Sequence, residues 1–166
     1  AIQDDNPVVF IDDRWLYGCK EAVPEDPYIV PIGKGVVKRE GKDVTLVSWS
    51  YMMEEAKKAA EELALQSIDV ELIDLRSLKP FDKELILRSV KKTGRLVVVD
   101  GAWKTCGFAA EIAACVGESP LALKLKAPIC RVCLPDVPAP ASRVLEEEYY
   151  IKAKDIVHKI LALFSY

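Results

Sequence analysis

The stretch from Leu96 to Ile112, LVVVDGAWKTCGFAAEI, decides the fold of this 166-residue chain. Leu96–Val99 is a short apolar run rich in β-branched residues, which is typical of a strand buried on both faces of a parallel sheet. We expect Asp100-Gly101 to end this strand. Gly107 then opens a segment whose apolar residues recur at helical spacing, which predicts a helix packed on the sheet. The inward stripe of this helix comprises Ala109, Ile112, Ala113 and Val116.

A loop joins this strand to this helix and contains Trp103, Lys104, Thr105 and Cys106. In open α/β sheets, ligands and partners meet the carboxyl ends of the strands. The sequence therefore predicts that this loop is the working surface of the protein.

Strands and helices alternate on both sides of this stretch. We predict strands at 36–39, 44–49, 70–75, 95–99 and 128–134, and helices at 52–65, 80–93, 108–116 and 152–164. Ser50 is the expected cap of the first helix. The pattern predicts a three-layer α/β/α domain with a mostly parallel sheet of about five strands and one edge strand at Val36–Arg39.

The N-terminal part does not fit this alternation. Pro7–Asp12 predicts a strand, but no helix or second strand lies near it in the sequence. Gly18–Gly35 contains Pro24, Pro27 and Pro31, which exclude a helix and disfavour a central strand. We therefore predict a tail of a preceding domain at 1–17, a linker at 18–35 and the main domain at 36–166. Because the chain begins with Ala1, we expect a processed polypeptide or a piece of a longer one.

Composition limits the possible functions. The net charge is −3 and no block of basic residues is present, which argues against nucleic-acid binding. No apolar run is long enough to span a bilayer and no signal peptide opens the chain. Five irregularly spaced cysteines indicate free thiols in a reducing compartment.

Two motifs suggest cysteine or histidine chemistry. Cys130-Arg-Val-Cys133 is a CxxC, but its apolar strand pattern sends the two thiols to opposite faces, and no second ligand pair completes a zinc site. Buried structural thiols are the favoured interpretation over a redox or metal site. His158, the only histidine, has no accompanying nucleophile motif, so a helix-surface position is favoured over a catalytic base.

Phosphate and cation sites are weaker alternatives. No GxGxxG or GxxxxGK[ST] is present, although Gly107 at a helix start can meet an anion through free backbone N–H groups. A tight strand-to-helix turn is the favoured role of Gly107. The oxygen-rich Asp4-Asp5-Asn6 and Asp12-Asp13-Arg14 can hold a cation, but a polar turn is the better interpretation from spacing alone. Glu146–Glu148 is a solvated charge run or a contact for a basic partner.

A series of motifs in the same order along nearly the whole chain resembles the β chain of 2-oxo acid dehydrogenase E1 enzymes. They are Asp4-x-Asn6-Pro7-Val-Val-Phe, Leu16-Tyr17-Gly18, Pro31-Ile-Gly33-Lys34-Gly35, Gly41-x-Asp43-Val-Thr-Leu-Val47, Val70-Glu-Leu-Ile-Asp-Leu-Arg76, Leu78-x-Pro80-x-Asp82, Ser89-Val-x-Lys-Thr93, Gly107-Phe-Ala-Ala-Glu-Ile112, Ala127-Pro-Ile-x-Arg-Val132 and Asp136-x-Pro138. The resemblance covers a transketolase-type C-terminal domain and the last strand of a preceding pyrimidine-binding domain.

The resemblance implies an oxidoreductase that uses thiamine diphosphate and Mg²⁺ to decarboxylate a 2-oxo acid and passes the acyl group to lipoyl-E2. It implies that the Mg²⁺ and diphosphate site lies on an E1 α chain and the activating glutamate in the missing half of the β chain. No catalytic or cofactor-binding residue is carried over, and the piece is expected to be inactive alone. Cytoplasm, or the mitochondrial matrix in a eukaryote, is the implied compartment.

The resemblance also implies a role in assembly. The expected partners are the E1 α chain, a second β chain and the subunit-binding domain of the E2 acyltransferase. Trp103 and Lys104 in the central loop, and the Tyr166 carboxylate, are the candidate contacts. Ala1, Ile2, Asp4 and Asn6 match part of a potassium site of some members, through three carbonyls and the Asp4 carboxylate.

Two other functions remain open at this point. A stand-alone assembly module without catalysis has no reason to keep a strand of another domain. Another thiamine enzyme, such as a transketolase or a deoxyxylulose phosphate synthase, would share the domain but fits the Asp4-x-Asn6-Pro7 start less well. Asp100-Gly101 replaces the His-Glu of many branched-chain-type members, so the 2-oxo acid is not assigned.

Overall fold

The computed structural model describes residues 1–166 and contains five strands and five α-helices. The strands are β1 Val36–Arg39, β2 Val44–Ser48, β3 Val70–Asp74, β4 Leu96–Trp103 and β5 Cys130–Leu134. The helices are α1 Met52–Leu65, α2 Lys83–Thr93, α3 Phe108–Gly117, α4 Arg143–Tyr149 and α5 Ala153–Ala162. Short 3-10 turns occupy Arg14–Gly18 and Pro120–Lys124. None of the helices combines the length and the hydropathy that a membrane span requires.

The five strands form one sheet in the order β1-β3-β2-β4-β5. All neighbouring pairs are parallel except β1 with β3, so the antiparallel strand lies at an edge. The apolar residues of α1 and α5 pack on one face of the sheet, and those of α2 and α3 pack on the other. This arrangement confirms the predicted three-layer α/β/α fold with one antiparallel edge strand.

Local sequence explains where the helices lie. In α1, Ala56, Ala59, Ala60 and Leu63 are buried as predicted, whereas Ala64 is exposed. In α2, the Asp82 side chain accepts a hydrogen bond from the Leu85 N–H, and Gly94 ends the helix in the left-handed conformation. These capping groups and apolar stripes fix two helices on opposite faces of β2 and β3.

The central strand is longer than predicted. β4 continues through Asp100-Gly101 to Trp103, with an irregularity in its pairing with β5 between Asp100 and Trp103. Trp103 pairs with Leu134, and the Lys104 N–H donates to the Leu134 carbonyl. The prediction that Asp100-Gly101 ends the strand is therefore wrong, because β5 offers hydrogen bonds beyond the glycine. Of the four residues named for the predicted loop, only Trp103 lies in the strand.

Pro7–Asp12 is not a strand, which corrects the prediction. No neighbouring strand pairs with it, and Val9, Phe10 and Ile11 are almost fully exposed. A β-branched run alone does not make a strand, because its backbone needs a hydrogen-bonding neighbour. Residues 19–35 carry no helix or strand, as the prolines indicate.

One further prediction needs correction, and one helix was missed. Ser50 does not cap α1; it adopts a positive φ of 52° and its hydroxyl donates to the Asp13 carboxylate at 2.9 Å. Helix α4 was not predicted, because its apolar residues Val144 and Leu145 face solvent and show no inward stripe.

Candidate functional site

Asp100 sits at the carboxyl end of the sheet and organises the turn into α3. Its carboxylate is 3% exposed and accepts hydrogen bonds from the Ala102 N–H at 3.0 Å and the Ala109 N–H at 3.1 Å. A carboxylate at a helix N-terminus satisfies free N–H groups and the helix dipole together. Asp100 therefore occupies the place where an external anion would bind.

Gly107 begins α3 where the backbone is crowded. A Cβ at this position would lie 2.3 Å from the Trp103 carbonyl oxygen and 3.2 Å from Asp100 Oδ2. These contacts support the tight-turn interpretation of Gly107 over the anion-binding one.

The predicted working loop is held by side chains from the segment that follows β5. The Trp103 indole N–H donates to the Tyr149 hydroxyl at 3.1 Å, and that hydroxyl donates to the Val137 carbonyl at 3.0 Å. The Thr105 N–H and hydroxyl both donate to the Asp136 carboxylate, and these bonds hold the pKa of Asp136 below its usual range. These hydrogen bonds hold the loop in one conformation against the segment that follows β5.

Trp103 and Lys104 are exposed on this surface. The Trp103 side chain is 52% exposed, and Lys104 forms no ion pair. The Lys104 carbonyl accepts a hydrogen bond from Arg131, which fixes its backbone. Both side chains are free to contact a partner.

Tyr166 lies at the opposite end of the sheet. The Arg95 guanidinium donates to the Leu163 carbonyl and lies 4.3 Å from the centroid of the Phe164 ring. Arg95 immediately precedes β4, whereas Trp103 ends it, so roughly 26 Å of strand separates the two positions. The structure does not bring Tyr166 together with Trp103 and Lys104; they are two separate surfaces.

The N-terminal residues form one exposed turn. The Asp4 N–H donates to the Ala1 carbonyl at 3.3 Å, and Asp4 Oδ1 accepts from the Asn6 N–H at 2.9 Å and from its Nδ2 at 3.0 Å. These Asn6 hydrogen bonds lower the pKa of the Asp4 carboxyl. Together with the neighbouring Ile2, the turn offers carbonyl and carboxylate oxygens, which are the ligands that hard cations prefer. The Ala1 carbonyl and Asp4 Oδ1 already accept hydrogen bonds within the turn.

The cysteines are separate thiols. Cys130 packs against the core under α1 and α5, and Cys133 packs against the core under α2 and α3, which confirms that the CxxC spans both faces. Burial raises the pKa of both thiols, that of Cys133 to about 11. The favoured structural interpretation of these thiols is therefore supported. His158 is exposed on α5, as expected for a helix-surface residue.

The residues of this chain do not fit a thiamine diphosphate or Mg²⁺ site. No group of three or more His, Cys, Asp and Glu side chains is placed to hold a metal ion. The α3 N-terminus, which is suited to a phosphate, is capped by Asp100. No step of decarboxylation is assigned to these residues.

Sequence reasoning missed an aromatic cluster beside β4, formed by Trp15, Tyr51, Tyr149 and Tyr150. The Trp15 ring lies 4.9 Å from Tyr51 and 4.9 Å from Tyr150 between centroids, and Tyr149 lies 5.1 Å from Tyr150. The members come from three distant parts of the chain, so no local pattern indicates their contact. The cluster attaches the 3-10 turn Arg14–Gly18 to the main domain.

Residues 33–156 match the family model of the transketolase C-terminal domain. The chain is 42% identical over 165 residues to the acetoin:2,6-dichlorophenolindophenol oxidoreductase subunit beta of Bacillus subtilis, covering 99% of this chain and 48% of the relative. It is 43% identical over 162 residues to the mitochondrial pyruvate dehydrogenase E1 component subunit beta of Dictyostelium discoideum, covering 95% of this chain and 45% of the relative. The chain thus spans about half the length of these relatives.

A solved structure supports the same assignment of fold. A split-gene transketolase, described as an inactive β4 tetramer, superposes with a TM-score of 0.74 at 30% identity. The match covers 89% of this chain and 47% of that one.

Proposed function

The chain belongs to the transketolase C-terminal domain family, and we propose that it is the C-terminal part of the β subunit of a thiamine diphosphate-dependent 2-oxo acid dehydrogenase, E1. The observation that carries this proposal is the 43% identity to a pyruvate dehydrogenase E1 β subunit along 95% of the chain. The complete enzyme would decarboxylate a 2-oxo acid oxidatively and transfer the acyl group to lipoyl-E2. This piece would serve assembly and E2 docking and would be inactive alone.

The N-terminal segment supports a division of the chain into three parts. Residues 1–17 would complete a preceding pyrimidine-binding domain, residues 18–35 would be the linker, and residues 36–166 the C-terminal domain. The exposed Val9, Phe10 and Ile11 are apolar side chains that such a domain would cover. In the same context, upstream oxygens would complete a potassium site begun by Ala1, Ile2, Asp4 and Asn6.

The cofactors would be held elsewhere. Bound thiamine diphosphate would supply the carbanion-stabilising chemistry of decarboxylation, with Mg²⁺ at its diphosphate. Both would lie on the E1 α chain and on the preceding half of the β chain. The compartment would be the cytoplasm or, in a eukaryote, the mitochondrial matrix.

Two surfaces are proposed for partners. Trp103 and Lys104 at the carboxyl end of β4, and Tyr166 at the opposite end, would contact the E1 α chain, a second β chain and the E2 subunit-binding domain. To determine which surface binds E2, the affinity for the E2 subunit-binding domain is measured for Trp103→Ala, for Lys104→Ala and for a chain lacking Tyr166. Lys91→Ala, an exposed lysine of α2, is the matched control. Loss of binding in at least one of the three, but not in Lys91→Ala, is expected, and unchanged binding in all three would remove E2 docking from the proposal.

Similarity to a second relative supports a second class of substrate. The 42% identity to an acetoin:2,6-dichlorophenolindophenol oxidoreductase β subunit covers 99% of the chain, so acetoin is the alternative to a 2-oxo acid.

The activity test uses a complete β polypeptide that carries this chain, together with an α chain. Thiamine diphosphate and Mg²⁺ are added, and dichlorophenolindophenol reduction is followed with pyruvate, a branched-chain 2-oxo acid or acetoin. We expect reduction with a 2-oxo acid and none with residues 1–166 alone. Reduction with acetoin only would change the substrate, and none with any of them would contradict the dehydrogenase assignment.

A further inference from the structure

A cleft of about 380 Å³ lies between the 3-10 turn Arg14–Gly18, the end of β2 and the end of β4. It is bounded on the apolar side by Trp15, Trp49, Tyr51, Met52, Leu134 and Tyr150. Its polar side chains are Asp13, Ser50 and Asp100. The cleft is thus a concave site lined by aromatic rings with a small number of polar groups, the composition expected for recognition of one chemical group.

The aromatic rings of the cleft are fixed in place. Trp15 packs edge-on against Tyr51 at an interplanar angle of 75° and against Tyr150 at 61°. Trp49 packs edge-on against Phe108 on the other side of the sheet, at 5.6 Å between centroids. Rings held by such contacts cannot collapse into the cleft, and ring faces attract cations.

The charges of the cleft are unbalanced. Asp13 and Asp100 both line it, and no lysine or arginine does. Neither carboxylate takes part in any ion pair of the structure. Their hydrogen-bond donors are neutral: Asp13 accepts from the Trp15 N–H and the Ser50 hydroxyl, and Asp100 from two backbone N–H groups. The cleft therefore carries negative charge without a lysine or arginine to offset it, while the N-terminal dipole of α3 compensates part of the Asp100 charge.

We propose that this cleft binds the guanidinium group of an arginine side chain presented by a partner polypeptide. A guanidinium is planar, stacks on aromatic faces, donates to carboxylates in fixed directions and is more weakly hydrated than an ammonium. These properties match a cleft with aromatic walls, the half-buried Asp13 carboxylate as acceptor and the charge of the buried Asp100 beside it. The inference does not depend on the enzyme class proposed above.

A second cleft indicates that the arginine belongs to a polypeptide. It has a volume of about 550 Å³ and shares Trp15, Tyr51 and Tyr150 with the first. Glu55, Glu146 and Glu147 line it, beside the basic side chains of Lys58, Arg143, Lys152 and Lys154. A segment crossing the aromatic cluster can place one side chain in each cleft, which a small free cation cannot do.

The test uses the three tryptophan indole N–H signals in the NMR spectrum of the chain. The probe is an acetylated, amidated Gly-Arg-Gly peptide, and its counterpart carries neutral citrulline in place of arginine. We expect saturable shifts of the Trp15 and Trp49 signals with the arginine peptide and none with citrulline. The Trp103 indole does not line the cleft but donates to Tyr149, which packs on Tyr150, so its signal is expected to shift less than those of Trp15 and Trp49.

Matched variants locate the binding site. Asp13→Asn keeps an oxygen that can accept from the Trp15 N–H, so the turn is preserved. Because the charged acceptor is lost, the affinity for the arginine peptide is expected to fall about tenfold. Asp26→Asn removes the same charge from an exposed position outside the cleft and is expected to change nothing. No saturable shift, equal shifts with citrulline, or equal loss in both variants would overturn the proposal. Tetramethylammonium binding as tightly as the peptide would assign the cleft to small cations instead.

Discussion

Gly41 lies in the turn between β1 and β2, where the backbone approaches β3. A Cβ there would lie 2.2 Å from the carbonyl carbon of Val70 and 2.3 Å from the Glu71 nitrogen. Because backbone atoms cannot swing aside, Gly41→Ala is expected to lower the free energy of unfolding by about 3 kcal/mol. Urea denaturation measures this loss.

Gly18→Ala is the matched control. A Cβ at Gly18 meets nothing within 4 Å, so its effect is expected to stay within about 0.5 kcal/mol. Equal stability of the two variants would show that β1 and β3 are not packed as described.

Glu71 makes stability depend on pH. Burial raises the pKa of its carboxyl, but hydrogen bonds from Lys92 and the Gly41 N–H outweigh burial and hold the pKa below its usual value. A carboxyl whose pKa falls on folding stabilises the folded state above its unfolded pKa, and this is lost as the pH falls through the folded value. Glu71→Gln is therefore expected to cost about 2 kcal/mol at neutral pH and less as the pH falls below about 4.5.

Unfolding free energies of both proteins between neutral pH and pH 3 check this expectation. A difference that stays constant across the range would mean that Glu71 does not titrate with unfolding.

At the scale of elements, the two cysteines of β5 lie on opposite faces of the sheet. Cys130 packs against the core under α1 and α5, and Cys133 packs against the core under α2 and α3. Desolvation raises the pKa of the buried Cys115 and of the half-buried Cys130 and Cys133, whereas Cys19 and Cys106 are exposed. Since the thiolate is the reactive form, iodoacetamide at pH 8 is expected to modify Cys19 and Cys106 and to spare the other three until denaturant is added. Mass spectrometry of the digested protein identifies which cysteines are modified. Modification of Cys130 or Cys133 in the folded chain, or a disulfide between them, would contradict the assignment as structural thiols.

The N-terminal segment is attached mainly at one point. Residues 1–12 make no backbone hydrogen bond to the main domain, and Trp15 connects the following turn to Tyr51 and Tyr150. Brief chymotrypsin digestion is expected to cut after Phe10 and Tyr28 and to leave the domain from about residue 33 intact. Trp15→Ala is expected to speed cleavage at Tyr17 without lowering the melting temperature of the main domain. If the first cuts fell inside β2 or β4, the N-terminal segment would not be the most accessible part of the chain.

The sequence determined most elements because their signals are local. The bounds of α1 and the caps of α2 follow from apolar spacing and from Asp82 and Gly94. Interactions between distant residues decided the exceptions: β4 extends because Leu134 pairs with Trp103, and Pro7–Asp12 is not a strand because nothing pairs with it. The aromatic cluster was not predictable, since Trp15 and Tyr150 belong to opposite ends of the chain.

At the scale of the whole molecule, the main domain buries two hydrophobic cores, while the N-terminal segment exposes apolar surface. Two cores flank one sheet, and the long apolar side chains of residues 8–11 and 28–32 remain in solvent. This contrast fits a domain that works within a larger assembly, where other parts of a subunit and other subunits cover such surface.

The most direct test of the account is the identity of the native polypeptide that contains this chain. An antibody against residues 36–166 is used to isolate it from cells, and mass spectrometry determines its mass and its co-purifying partner. Because the chain spans 48% of one relative, we predict a polypeptide of roughly twice 18.5 kDa, accompanied by a thiamine-enzyme α chain. A polypeptide of 18.5 kDa without such a partner would contradict the E1 β assignment and favour a stand-alone module.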